Sequence, residues 1–214
     1  MKHPGAFREL LTLPERNLHK VPDRLATDEA VFVEPVAAAC EILDQIKIPR
    51  GEPVAVLGDG KLGLLVAQVL HARGAAVHQF GRHREKLRIA ARAGVTTEVA
   101  KSKLPAAEFD FVVEATGSPD GLKQAVAMVR PRGTVVMKST VHGLVSIDTA
   151  PVVVNEVTLV GSRCGRFEPA LKLLASGKVR VADMISDRFP LAEAPRAFET
   201  AARKGALKVL LDAG

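Results

Sequence analysis

From residue 54 onward, short apolar runs rich in β-branched residues alternate with stretches of helical periodicity. "VAVL" (54–57) reads as a buried strand and 61–73 as an apolar helix. "AVHQF" (76–80) is a second strand, and "REKLRIAARAG" (84–94) a helix closed by Gly94. A weak strand is predicted near 95–99, a strong one in "FDFVVEATG" (109–117), and a helix over about 120–129. "GTVVMK" (133–138) and "VTLVGS" (157–162) bring the number of predicted strands to six. Strands that alternate with helices are joined by right-handed crossovers, which makes the sheet parallel and places helices on both faces. The expectation is an α/β, doubly wound Rossmann sheet over roughly 50–162, with "VTLVG" (157–161) on its edge.

The flanks follow another pattern. Residues 6–21 read as two strand-like pieces punctuated by Pro14, and "DEAVFVEPVAAACEILDQI" as a helical stretch interrupted at Pro35. Beyond 163 the pattern predicts a helix (168–176), a strand (183–189), a helix (191–203) and a last strand, "LKVLL". Neither flank has enough apolar surface for its own core, so each is expected to pack on the other or on something else. The expected division is 1–48, 49–162 and 163–214.

Composition narrows the partners. With 47% apolar and 25% charged residues in 214, the chain has the make-up of an ordinary globular protein. Tyr and Trp are absent and Phe numbers eight, so the core must be aliphatic. Cys40 and Cys164 lie far apart, which excludes a disulfide framework or a Cys-based zinc knuckle. The start lacks an apolar leader core, and no charge-free apolar run reaches membrane-spanning length; a cytoplasmic protein without a membrane partner is expected. A net charge of +6 suits an anionic partner. The basic segment "GRHREKLR" lacks interleaved aromatics, so nucleic acid is not expected.

The anion is better placed by Gly58, Gly60 and Gly63, which form G-x-G-x-x-G directly after a strand and at the opening of a helix. In such a loop the first glycine makes a tight turn, the second lets backbone approach a pyrophosphate, and the third lets helix and strand pack closely. Lys61 and Leu62 complete the candidate contacts, and the helix N-terminus adds free N–H groups. At the end of the second strand stand Gly81, Arg82, His83 and Arg84. An NAD site would place an acidic residue there; a small residue followed by cations leaves room for a 2′-phosphate and neutralises it. NADP is therefore favoured, with NAD open.

"VAVLGDGKLGLL", "VVEATGS", "VRPRGTVVMKST" and "NEVTLVGSRCG", in that order, resemble the medium-chain, zinc-type alcohol and polyol dehydrogenases, in the style of threonine and sorbitol dehydrogenases. The resemblance extends over "GAFREL..LPERNLHKVPD" and "GALKVLL" and implies a catalytic domain split around the cofactor domain. By this resemblance Thr116 and Gly117 lie beside the adenosine half, Ser139, Thr140, Ser162 and Arg163 near the nicotinamide, and Lys208 at the pyrophosphate. Glu34 matches a ligand of the catalytic zinc. The family's Cys and His-Glu ligands come from a segment upstream of anything in this chain, and His3, His19 and His142 show no ligand spacing with Glu34. The implied activity is hydride transfer between NADP(H) and a secondary alcohol or polyol, with zinc doubtful here. The alternative is a catalytically silent dinucleotide-binding chain. Homodimerisation through 157–161 is also implied.

Overall fold

The computed structural model describes residues 5–100, 103–141 and 143–214; His3 and His142 lie outside them. The chain runs α1 (Thr27–Ala30), α2 (Val33–Gln45), β1 (Pro53–Leu57), α3 (Lys61–Ala72), β2 (Ala76–Gly81), α4 (Arg84–Arg92), β3 (Thr96–Val99) and β4 (Phe109–Glu114). It continues through α5 (Gly121–Met128), β5 (Val129–Met137), α6 (Ala150–Val154), β6 (Thr158–Gly161), α7 (Phe167–Ala175), β7 (Ile185–Pro190), α8 (Ala194–Ala201) and β8 (Lys208–Asp212).

Six strands form one parallel sheet in the order β3-β2-β1-β4-β5-β6, with β6 on the edge as its last position predicts. The order reverses direction between β1 and β4, which opens a crevice at the carboxyl ends of the strands. Successive strand residues face opposite sides of the sheet. Val54, Val56, Val77, Val113 and Val136 join α2, α3, α4 and α7 in one apolar cluster, whereas Ala55, Leu57, Phe80, Val112 and Val135 join α5 in the other. The flanking helices α2 and α7 thus share a core with the sheet and with α3, as well as packing on each other. β7 and β8 form a separate parallel pair.

Four of the expected elements differ in the structure, and helix α6 falls where the sequence predicted no element. Residues 6–21 contain no strand, only a 3₁₀ turn at Glu15–Asn17. Strand-like composition needs a neighbouring strand to pair with, and here Phe7, Leu10, Leu13 and Leu18 stay exposed. Pro35 does not interrupt its helix; it sits in the first turn of α2, where a missing N–H costs nothing, and the break falls between α1 and α2 instead. β5 starts at Val129 rather than Gly133, with Arg132 at a φ of 64° where the register against β4 shifts. The helix expected over 191–203 is a 3₁₀ turn, Leu191–Glu193, followed by α8 with Pro195 in its first turn.

Candidate functional site

Most of the candidate residues follow the carboxyl ends of strands, where the crevice lies; Lys208, the first residue of β8, and Glu34, on α2, do not. Gly58 to Gly63 follow β1, Gly81 to Arg84 end β2 and begin α4, Thr116 and Gly117 follow β4, Ser139 and Thr140 follow β5, and Ser162 and Arg163 follow β6.

Two of the three glycines in the loop have a steric reason within the fold. Gly58 adopts a φ of 121°, a conformation open to glycine. A Cβ on Gly63 would stand 2.5 Å from the Gly58 carbonyl oxygen, so helix α3 could not approach β1 with any side chain there. Gly60 is the opposite case: its φ is −72° and no atom lies within 4 Å of where its Cβ would be. The fold does not need a glycine at 60, and the space beside it is open at the N-terminus of α3.

Lys61, which follows Gly60 as the first residue of α3, lines one cavity with Lys208. Lys208, half-buried, has its Nζ 5.4 Å over the Phe32 ring and 3.5 Å from the Val31 carbonyl oxygen. Burial, with the charge of Lys61 beside it, pulls the Lys208 ammonium below the usual lysine range, while Glu34 opposes the shift. Two cations lining one cavity, one of them beside the free N–H groups of a helix start, make a place for a polyanion.

The end of β2 is not as the sequence suggested. A carboxylate does stand there, delivered by the glycine loop itself. Asp59, buried, accepts the His83 backbone N–H at 2.6 Å and lies 3.1 Å from His83 Nδ1. Its side chain lies against Gly81, whose Cβ would fall 2.5 Å from Asp59 Cβ. Gly81 is therefore small because Asp59 fills its space. Arg82 and Arg84 remain exposed, with no carboxylate at ion-pair distance among the described residues.

A second buried carboxylate ties together the far wall. Glu114, at the end of β4, receives on one oxygen the Thr116 N–H (2.7 Å), the Thr116 hydroxyl (2.6 Å) and the Ser139 hydroxyl (3.0 Å). Ser139 Oγ accepts the Gly117 N–H at 2.8 Å. The N-terminus of α5, at Gly121, lies directly over this oxygen, and its partial positive charge favours the anion. Thr116, Gly117 and Ser139, from two separate motifs, are thus one hydrogen-bonded unit. Thr140 is exposed.

Ser162 is buried and Arg163 exposed, and both are tied to Lys138. The Lys138 Nζ donates to Ser162 Oγ (3.1 Å), to the Arg163 carbonyl (3.1 Å) and to the Ala38 carbonyl of α2 (2.7 Å).

The described residues do not fit a zinc ion. No three His, Cys, Asp or Glu side chains converge among them. Glu34 is exposed on the first turn of α2, and its charge bears on Lys138 and Lys208. His19 faces Glu168 at 3.6 Å. Tetrahedral zinc needs several protein donors.

Comparison with known proteins decides the relationship: the zinc-binding dehydrogenase family model matches residues 62–176, more than half of the chain. The chain belongs to the zinc-binding dehydrogenase family. The D-xylulose reductase A of Aspergillus oryzae is 28% identical over 98% of this chain. The chain spans only 63% of that relative's length. Among solved structures, an alcohol dehydrogenase of Thermus sp. ATN1 superposes with a TM-score of 0.84 at 31% identity, covering 96% of this chain and 64% of that one. A zinc-binding dehydrogenase of Sinorhizobium meliloti bound to NADP has a TM-score of 0.81 at 28% identity, covering 90% and 61%. Like these family members, the chain carries the six-stranded parallel sheet. Among the described residues no helix is long and apolar enough to cross a membrane.

Asp59, Glu114 and Lys138 were not singled out from sequence. Each left a signal: a charged residue inside a glycine motif or at the end of an otherwise apolar strand. Such a residue, if buried, must find partners.

Proposed function

We propose that this chain forms the dinucleotide-binding part of an NADP(H)-dependent alcohol or polyol dehydrogenase. The observation that carries the reading is the open space at Gly60 at the start of α3, next to Lys61, which lines one cavity together with Lys208. That space and those charges fit a pyrophosphate. The relatives named as a xylulose reductase and an alcohol dehydrogenase support the substrate class, and the NADP-bound relative supports the cofactor.

Bound there, the dinucleotide supplies a hydride donor or acceptor. This chain's residues do the holding. The α3 N–H groups with Lys61 and Lys208 neutralise the pyrophosphate, and Gly63 and Leu62 keep the helix close to β1. Arg82 and Arg84, free of carboxylate partners among the described residues, take the 2′-phosphate, with His83 held in place by Asp59. Thr116 and Gly117 line the adenosine side, and Ser139, Thr140, Ser162 and Arg163 the nicotinamide side. Glu34 has no companion donors for zinc among the described residues.

We further propose that the chain pairs with a second copy along β6. Leu159 is 37% exposed there, and Val153 and Val154 on α6 are 72% and 79% exposed. An uncovered edge with apolar neighbours favours pairing about a two-fold axis.

Titration with NADPH, followed by nicotinamide fluorescence, tests the reading. Saturable binding of one NADPH per chain, tighter than NADH, is expected. No binding of either nucleotide to the folded chain overturns it. Assay against a panel of secondary alcohols and polyols, with metal analysis, is expected to find cofactor bound but little turnover in this chain alone.

A further inference from the structure

The glycine loop occupies the first half of the sheet, β1 to β3. A dinucleotide lying across the crevice places its other nucleotide on the second half, at the ends of β4, β5 and β6. At that end lies Lys138, 6% exposed, the first residue after β5.

All three ammonium protons of Lys138 are engaged, one to each of three segments or atoms: the Ala38 carbonyl in α2, the Ser162 hydroxyl and the Arg163 carbonyl. Its own backbone N–H donates to the Glu114 carbonyl at 2.9 Å, and the Ser162 N–H to the Met137 carbonyl at 3.1 Å. The side chain thus joins the end of β5 and the segment after β6 to a helix a hundred residues earlier in the chain, and the backbone N–H ties in the end of β4. With no lone pair free and no proton uncommitted, it is not placed to exchange a proton with a substrate.

Neutral or exposed contacts already join the same two segments. Gln45 Nε2 donates to the Gly161 carbonyl at 3.2 Å, and Arg166 pairs with Asp44 at 3.1 Å on the surface. A buried ammonium is a costly addition to such a joint, since the desolvation of a charge must be offset by every hydrogen bond it makes. What it adds that the others do not is a fixed orientation for Ser162 and Arg163 at the rim of the crevice.

We propose that Lys138 is a positioning residue for the nicotinamide half of the dinucleotide, locking Ser162 and Arg163 against α2 so that the wall at the ends of β5 and β6 is preformed. This rests on the dinucleotide reading above. Burial pulls the Lys138 ammonium down to about 8, against Glu41 and Glu34 on α2 and Cys164 on the neighbouring segment, whose charges favour the protonated form. The role itself follows from the three hydrogen bonds and their place in the fold.

The test compares two probes that share the adenosine half: NADPH, and 2′,5′-ADP, which lacks the nicotinamide. Lys138→Met keeps the apolar stem and removes all three bonds; Lys138→Gln keeps amide donors and serves if the Met variant does not fold. The expected result is NADPH weakened by about tenfold or more, with 2′,5′-ADP held within about twofold of wild type, and a smaller effect of the same kind for Gln. A merely structural lysine would weaken both probes together. Equal losses for both probes, or NADPH affinity unchanged, overturn the proposal. A wild-type chain that binds neither probe overturns the dinucleotide reading and this one with it, and is told apart because it needs no variant.

Discussion

Asp59 and Gly81 share one small volume: a Cβ on Gly81 would lie 2.5 Å from the Asp59 Cβ and 2.7 Å from its Oδ2. The glycine loop after β1 therefore dictates the residue at the end of β2. Converting this site to NAD preference by placing an acidic residue at 81 meets a side chain already there. Gly81→Asp alone is expected to weaken both NADP(H) and NAD(H), by about tenfold or more, through displacement of the loop and repulsion between the carboxylates. The double change Asp59→Ala with Gly81→Asp is expected to shift preference toward NAD(H). Dissociation constants for both nucleotides check this, and tighter NAD(H) binding by the single variant would contradict it.

Gly60 has no neighbour within 4 Å of its would-be Cβ and an ordinary negative φ. Gly60→Val is thus expected to fold, with a thermal midpoint close to wild type, and to lose NADPH binding because the new side chain fills the pyrophosphate's place. Calorimetry and fluorescence titration on one preparation separate the two. A folded variant with unchanged affinity would end the dinucleotide reading.

Glu114 satisfies three donors with one oxygen. Glu114→Ala leaves the Thr116 N–H and two hydroxyls without it, and is expected to cost about 2–4 kcal/mol from those losses and the cavity. Glu114→Gln retains an acceptor oxygen and is expected to cost less than half as much. Denaturant unfolding of the two variants gives the comparison; equal losses would mean that the carboxylate's negative charge, which both variants lack, matters rather than its volume or a neutral acceptor.

Lys138 titrates near 8 in the folded chain and in the usual lysine range, near 10.5, when unfolded. Between those values the unfolded chain binds the extra proton, so stability rises with pH across that interval and is lost again as pH falls toward 8. The wild type is expected to gain stability relative to Lys138→Met from pH 8 to 10. A difference between the two that stays flat over this range would contradict the buried ammonium.

Pairing through β6 is expected to fail when its exposed edge is charged. Leu159→Lys, at a position 37% exposed, is expected to turn a sedimenting dimer into a monomer without loss of the fold. A wild type that sediments as a monomer at micromolar concentration would remove the basis for this test.

The six-stranded sheet was legible in the sequence because buried parallel strands are written as short apolar runs, and the periodic helices between them force the crossovers. The glycine loop was legible because its three glycines fall within six residues, from Gly58 to Gly63, between an apolar strand and an apolar helix. Residues 6–21 were misread as strands because β-propensity reports only fitness for a sheet, and the fold places no strand beside them. The site's electrostatics were decided by tertiary structure. Asp59 reaches across to His83, Glu114 gathers Thr116 and Ser139 from two loops, and Lys138 reaches Ala38 a hundred positions away. A buried charge takes its meaning from the partners that replace its water, and those partners are brought together only when the strands align.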